Sequence, residues 1–261
     1  MRTLDLHGEI ALVTGGAGSI GGALGRALAD AGATVVLADL RGGDGITPLD
    51  VTDRDAFARV VADVRERHGS LDILVNNAGV ASAGEVHNLA AESWDRSIAV
   101  NLGGAINGIV AAYPAMVERR RGHIVNIASL AGLVPLPLLV PYATAKSGLV
   151  GLSTSLRIEA ARYDVKVSVA CPGPVETPFL DTGGAGGETV GVDPRRFLTA
   201  SAGPPLTPDA FAACVLNGMA ANRTVITPGR ARALWGLSRF APRMTARVIA
   251  GNMRKELRLG G

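Results

Sequence analysis

Short runs of Val, Ile and Leu alternate along this chain with longer stretches of helical periodicity. That alternation narrows the fold most, because strand and helix in repetition build a parallel sheet with helices on both faces. Ile10-Ala11-Leu12-Val13 reads as a first strand, 20–31 as its crossover helix closed by Gly32, and 34–38 as a second strand. Residues 46–49, 71–75, 123–128 and 165–170 read as four more strands. Asp53 is placed as the N-cap of a helix over 53–67, and long helices fall at about 92–119 and 141–162. Near-continuous Val, Ile and Leu in the strands implies burial on both faces. A chain of 261 residues with 48% hydrophobic content can bury a large core, and no repeat or linker divides it, so one domain over 1–261 is expected.

The net charge of +3 conceals an asymmetry. Residues 223–261 carry nine Lys or Arg against one acid, Glu256, and the remainder is mildly acidic. With only 4% aromatics, the high pI describes a basic tail, and no nucleic-acid partner is expected. Two cysteines, Cys171 and Cys214, give no disulfide framework and fit a reducing, cytoplasmic setting. Cys171 reads as a packing residue. His68, His87 and His123 show no metal-ligand spacing and read as surface or loop residues, so no metal is expected. The N-terminus lacks the apolar core of a signal peptide, and no apolar run reaches the roughly 18 residues of a spanning helix.

The first strand runs directly into Thr14-Gly15-Gly16-Ala17-Gly18-Ser19-Ile20-Gly21 and then a helix. Glycines at a strand–helix turn let backbone N–H groups approach a pyrophosphate at the helix N-terminus. Asp39 ends the second strand, where an acid can bind adenosine ribose hydroxyls and repel a 2′-phosphate. NAD is therefore favoured over NADP; Arg41, two residues on, pulls the other way. The plain alternative for Asp39 is a strand-end turn residue. Further along, Tyr142 and Lys146 stand four apart, so on a helix they share a face. A lysine ammonium beside a phenol favours the phenolate and lowers its pKa from about 10, as a general acid or base needs. Ser129, at the end of the strand over 123–128, could hold a substrate oxygen. Taken singly, the plain alternatives are a strand-end cap for Ser129, a helix-interior polar residue bonding to backbone for Asn101 and a solvated helix residue for Lys146.

The ordered motifs resemble the short-chain dehydrogenase/reductase family, in its compact single-domain form, from about Glu9 to Gly229. The resemblance implies a Rossmann-type doubly wound parallel sheet in three α/β/α layers. It implies that Asp50 and Val51 contact adenine, and that Asn77, Ala78 and Gly79, within Asn76-Asn77-Ala78-Gly79, stabilise the fold and meet the cofactor. It further implies that Gly15, Gly18, Ser19 and Ile20 cradle the phosphates, and that Pro172, Val175 and Thr177 meet the nicotinamide amide. Tyr142 and Lys146 would bind the cofactor as well as act in catalysis, Ser129 would position the substrate oxygen, and Asn101 would hold a water relaying protons. The activity implied is NAD(P)-linked hydride transfer on a secondary alcohol or ketone. An NAD-dependent epimerase or dehydratase, or a non-catalytic cofactor-binding regulator, are the alternatives on this fold. A homotetramer or homodimer through the helices near 92–119 and 141–162 is implied likewise.

Two departures stand out. Compact members read T-G-x-x-x-G-x-G, whereas Ser19 here leaves T-G-x-x-G-x-x-G, the spacing of the family's longer branch. Ser19 either donates a hydrogen bond to phosphate or hinders close backbone approach. Leu40-Arg41-Gly42-Gly43-Asp44-Gly45 joins the second and third strands with no room for a crossover helix, which normally needs at least about 10–12 residues. Beyond Thr177, residues 178–208 read as a mobile, glycine-rich substrate cover. Leu130, Leu133, Val134, Leu136, Leu138, Leu139 and Val140 suggest an apolar substrate wall. Residues 231–259 read as a basic amphipathic helical tail, with a new helix starting at Pro242. Packing over the active site or on another subunit is favoured for it above peripheral membrane contact.

Overall fold

The strands of the main sheet are Ile10–Thr14 (β1), Thr34–Asp39 (β2), Ile46–Pro48 (β3) and Ile73–Asn76 (β4), then Gly122–Ile127 (β6), Val165–Ala170 (β7) and Val225–Ile226 (β9). Two short strands, Ser82–Ala83 (β5) and Glu188–Thr189 (β8), pair separately. The computed structural model describes residues 4–184 and 186–260. The helices are Ser19–Asp30 (α1), Arg54–His68 (α2), Ala91–Ile98 (α3), Gly104–Arg119 (α4), Val140–Ala160 (α5), Phe179–Thr182 (α6), Pro194–Ala202 (α7), Pro208–Ala220 (α8), Gly229–Phe240 (α9) and Pro242–Gly260 (α10).

The strand order is β3-β2-β1-β4-β6-β7-β9, with every neighbouring pair parallel. The winding reverses between β1 and β4, which opens a crevice beyond their carboxyl ends. Alternation along each strand fills both faces. Ala11 and Val13 meet Leu24 and Leu28 of α1 and Phe211 and Val215 of α8. Ile10 and Leu12 meet Phe57 and Val61 of α2 and Ile109 and Met116 of α4. Each fully buried side chain of this size contributes about 1.5–3 kcal/mol. This is the expected Rossmann-type, three-layer doubly wound fold.

Several expectations are adjusted. The stretch over 92–119 is not one regular helix: a π-helical turn at Ala99–Gly103 separates α3 from α4. The same stretch, Ala91–Arg119, is long and apolar enough to cross a membrane by length and composition, contrary to the sequence reading. Here it packs on the sheet and buries Asn101 and Asn107. Between β2 and β3 there is indeed no helix, and Gly43 and Ile46 exchange backbone hydrogen bonds to turn the chain back. The edge strand β9 went unread. His123 is not a surface residue: it is buried in β6, its Nε2 2.9 Å from Ser168 Oγ. Asp53 does cap α2, accepting from the Ala56 N–H.

Candidate active site

A cleft of about 690 Å³ lies at the carboxyl ends of the central strands. Its floor begins with the glycine turn. Gly15 adopts φ +68°, a region glycine enters without strain. A Cβ at Gly21 would lie 2.0 Å from the Gly15 carbonyl oxygen, so that position needs glycine. At Gly18 a Cβ would meet only the Gly15 oxygen, at 3.3 Å, leaving the turn open toward the cleft. Gly15, Gly18, Ser19 and Ile20 all face the cleft at the N-terminus of α1. This cradle, with a positive helix end behind it, fits a dinucleotide pyrophosphate. Asp39 lies alongside, its Oδ2 accepting from the Ala17 N–H at 3.1 Å. Asp50 and Val51 follow β3 on the same side.

Asn77 ties the turn to β4. Its Nδ2 donates to the Thr14 and Gly15 carbonyls at 2.9 and 3.2 Å. Thr14 Oγ1 accepts in return from the Asn77 and Ala78 N–H groups. Beneath the other half of the cleft, Asn76 Nδ2 donates to Asn126 Oδ1, whose amide donates to Ser153 Oγ. That buried chain fixes α5 against β4 and β6. α5 in turn carries Tyr142 and Lys146.

Lys146 is 3% exposed and donates to the Ile127 carbonyl at 2.8 Å. Its Nζ sits 5.5 Å from the centre of the half-buried Tyr142 ring. Ser129 leaves β6 in extended conformation, its Oγ accepting from the Ala131 N–H. All three face the cleft. The expected depression of the tyrosine pKa is not found. Burial pushes the Tyr142 phenol up to about 12, against the lowering influence of the Ser129 hydroxyl, and pushes the Lys146 ammonium down to about 8. Sequence spacing supplies the neighbour but not the desolvation, and desolvation wins. Tyr142 is therefore protonated here near neutral pH.

Asn101 stands behind this group without lining the cleft. Its Nδ2 donates to the Val80 and Ser97 carbonyls at 2.7 and 2.8 Å, and its Oδ1 accepts from the Val80 N–H. Gly79 lies between it and Lys146: a Cβ there would come 2.7 Å from Asn101 Oδ1 and 3.6 Å from Lys146 Nζ. Pro172, Val175 and Thr177 line the wall after β7, with Thr177 Oγ1 donating to the Val175 carbonyl at 3.3 Å. Of the expected apolar wall, Leu130, Val134, Leu136 and Leu139 face the cleft, while Leu133, Leu138 and Val140 do not. From the expected substrate cover over 178–208, Phe179, Leu198 and Ser201 line the cleft, with the Phe179 ring 5.9 Å from that of Tyr142; Ile249 was not singled out. Leu234, in the tail read as packing over the active site or on another subunit, also faces the cleft.

The short chain dehydrogenase family model matches residues 9–185. The chain belongs to the short-chain dehydrogenase family. It is accordingly an oxidoreductase that moves hydride between a nicotinamide cofactor, NAD(H) or NADP(H), and a secondary alcohol or ketone. Among relatives, a D-beta-hydroxybutyrate dehydrogenase of Rhizobium meliloti is 38% identical over 66% of this chain and 74% of its own. The 3-oxoacyl-[acyl-carrier-protein] reductase FabG of Thermotoga maritima is 34% identical over 68% and 78%. The crystal structure of a short-chain dehydrogenase from Streptomyces avermitilis matches with a TM-score of 0.79 at 26% identity, covering 95% of this chain and 98% of that one.

Proposed function

We propose that this short-chain dehydrogenase uses NAD and that Ser129, Tyr142 and Lys146 carry its chemistry. The observation that bears the reading is their convergence with the glycine cradle in one cleft. The nicotinamide, when bound, supplies the hydride acceptor or donor at its C4. Tyr142 exchanges the hydroxyl proton with the substrate oxygen. In the reduction direction its protonated phenol is ready to donate; in oxidation it must first lose a proton, which the Lys146 cation favours. Ser129 positions the substrate oxygen by hydrogen bonding. Lys146 also holds cofactor ribose hydroxyls, and Asn101 fixes the Gly79–Val80 backbone beside it. Asp39 supports NAD, because a carboxylate repels a 2′-phosphate.

The substrates in the two relatives' names share a carbinol or carbonyl carbon, and that shared carbon is the part carried to this chain. An apolar substrate suits Val134, Leu136 and Leu139 on the cleft wall. A homotetramer or homodimer through α4 and α5 is supported by Val110 and Ile158, 54% and 79% exposed on those helices. A cytoplasmic setting suits the two free cysteines. The test is Tyr142→Phe, assayed by NADH production from a panel of secondary alcohols. Turnover should fall by about a thousandfold or more, in the range of a lost general acid–base, with NADH fluorescence titration unchanged. Near-wild-type turnover would refute the assignment.

A further inference from the structure

The charged groups around the cleft are unevenly placed. Asp39, Arg41 and Asp50 gather at the ends of β2 and β3, and Lys146 stands beside Tyr142. The apolar lining includes Val134, Leu136, Phe179, Leu198, Leu234 and Ile249. No other charged side chain faces the cleft among the described residues. Two nearby cations are already engaged. Arg195 bonds Asp181 and Glu176 at 2.6 and 2.7 Å. Arg196 bonds Glu256 at 2.6 Å. The polar groups that remain are neutral, and of these Ser201 Oγ already accepts from the Asn252 amide.

We infer that the substrate half of the cleft takes an uncharged ketone or secondary alcohol on a bulky hydrocarbon body and discriminates against carboxylates. The inference rests on the hydride-transfer reading above and specifies its substrate class. A carboxylate drawn into this wall would lose water without gaining a cation, and a buried charge without a counter-ion is among the costliest states a protein can impose. A hydrocarbon body gains with every square ångström removed from water. The wall also identifies a specificity-determining residue. Ile249, 4% exposed, reaches the cleft from α10, the last helix of the chain. It packs in one apolar cluster with Phe197, next to the lining residues Leu198, Tyr142 and Phe179.

The experiment uses the full-length protein with NADH and three aryl ketones: acetophenone, para-acetylbenzoate and its methyl ester. Ester and acid present the same carbonyl and differ in charge at the far end. The expected result is kcat/KM for the ester about a hundredfold above that for the acid, reflecting the unpaired buried carboxylate. Ile249→Ala should raise KM for the ester several-fold, leaving kcat within about twofold and KM for NADH unchanged, since lost uniform binding enters KM. A fold defect would instead disturb all three constants. Acid and ester turned over within about threefold of each other would overturn the charge discrimination, because the carboxylate would then cost almost nothing, and would leave hydride transfer standing. No turnover of any ketone, with NADH bound normally, would overturn the substrate class. Failure of both NADH and NADPH to bind would remove the hydride-transfer reading and this inference with it.

Discussion

Acid should destabilise this protein through His123, and the size of the effect follows from its surroundings. Ser168 Oγ donates to the Arg223 carbonyl at 2.7 Å, so it accepts from the His123 Nε2–H. Nε2 therefore carries a proton. Burial, reinforced by the Lys166 and Arg157 cations, pushes its pKa down to about 3 from 6.5. The folded pKa lies below the unfolded one, so the unfolded chain takes up the extra proton first. Stability from this group is therefore complete above about pH 6.5 and is lost progressively as pH falls toward about 3. The slope in that window is about 1.4 kcal/mol per pH unit. Between pH 7 and 4.5 the loss comes to about 2.5 kcal/mol, a large share of a typical 5–15 kcal/mol total. Urea unfolding followed by far-UV circular dichroism at both pH values measures it, with His123→Gln as the reference. Carboxylates titrate alike in both proteins, so the wild type should lose about 2.5 kcal/mol more than the variant. Equal losses in the two would show that His123 is not held neutral.

Other outcomes follow from the site and its supports. Asp39→Ser should shift the ratio of kcat/KM for NADP over NAD upward by about tenfold or more, since about 1.4 kcal/mol of like-charge repulsion disappears; steady-state kinetics with both cofactors reads it. The oxidation rate should rise with pH on the alkaline side, because the Tyr142 phenol, pushed up to about 12, must lose its proton first, whereas carbonyl reduction should show no such rise. Glu256→Gln removes a buried carboxylate that accepts from Arg196 at 2.6 and 2.7 Å and from the Asp193 N–H at 2.8 Å. Water can reach the half-exposed Arg196, so the loss should be about 2 kcal/mol, below the 3–5 kcal/mol of a fully buried pair. Differential scanning calorimetry should then show a melting point lower by about 4–8 °C.

What could be read from the sequence was whatever local pattern encodes. β1, β4, β6 and β7 are buried on both faces and therefore announce themselves as apolar runs; β2 is only half-buried but keeps the same Val, Val, Leu run. β9 is two residues long and becomes a strand only by pairing with β7, 55 residues or more earlier in the chain. The π-helical turn at 99–103 likewise has no composition of its own. In the site, Tyr142, Lys146 and Ser129 were legible because spacing and strand ends place them. The depth at which Tyr142 sits was not, and it reversed the sign of its pKa shift. Ile249 and Leu198 lie in ordinary amphipathic helices, and only the docking of α10 on α7 through Glu256 and Arg196 aims them at the cleft.

That docking has a consequence for how such a protein can diversify. The stretch matched by the family model ends at residue 185, and the residues proposed to transfer the proton all lie within it. Leu198, Leu234 and Ile249 lie beyond it. Half of the proposed substrate wall is therefore written in a separate length of chain, while Val134, Leu136 and Phe179 stay with the proposed chemistry. The final third can be rewritten, by drift or by a designer grafting a different pair of closing helices, while the chemistry upstream is left untouched.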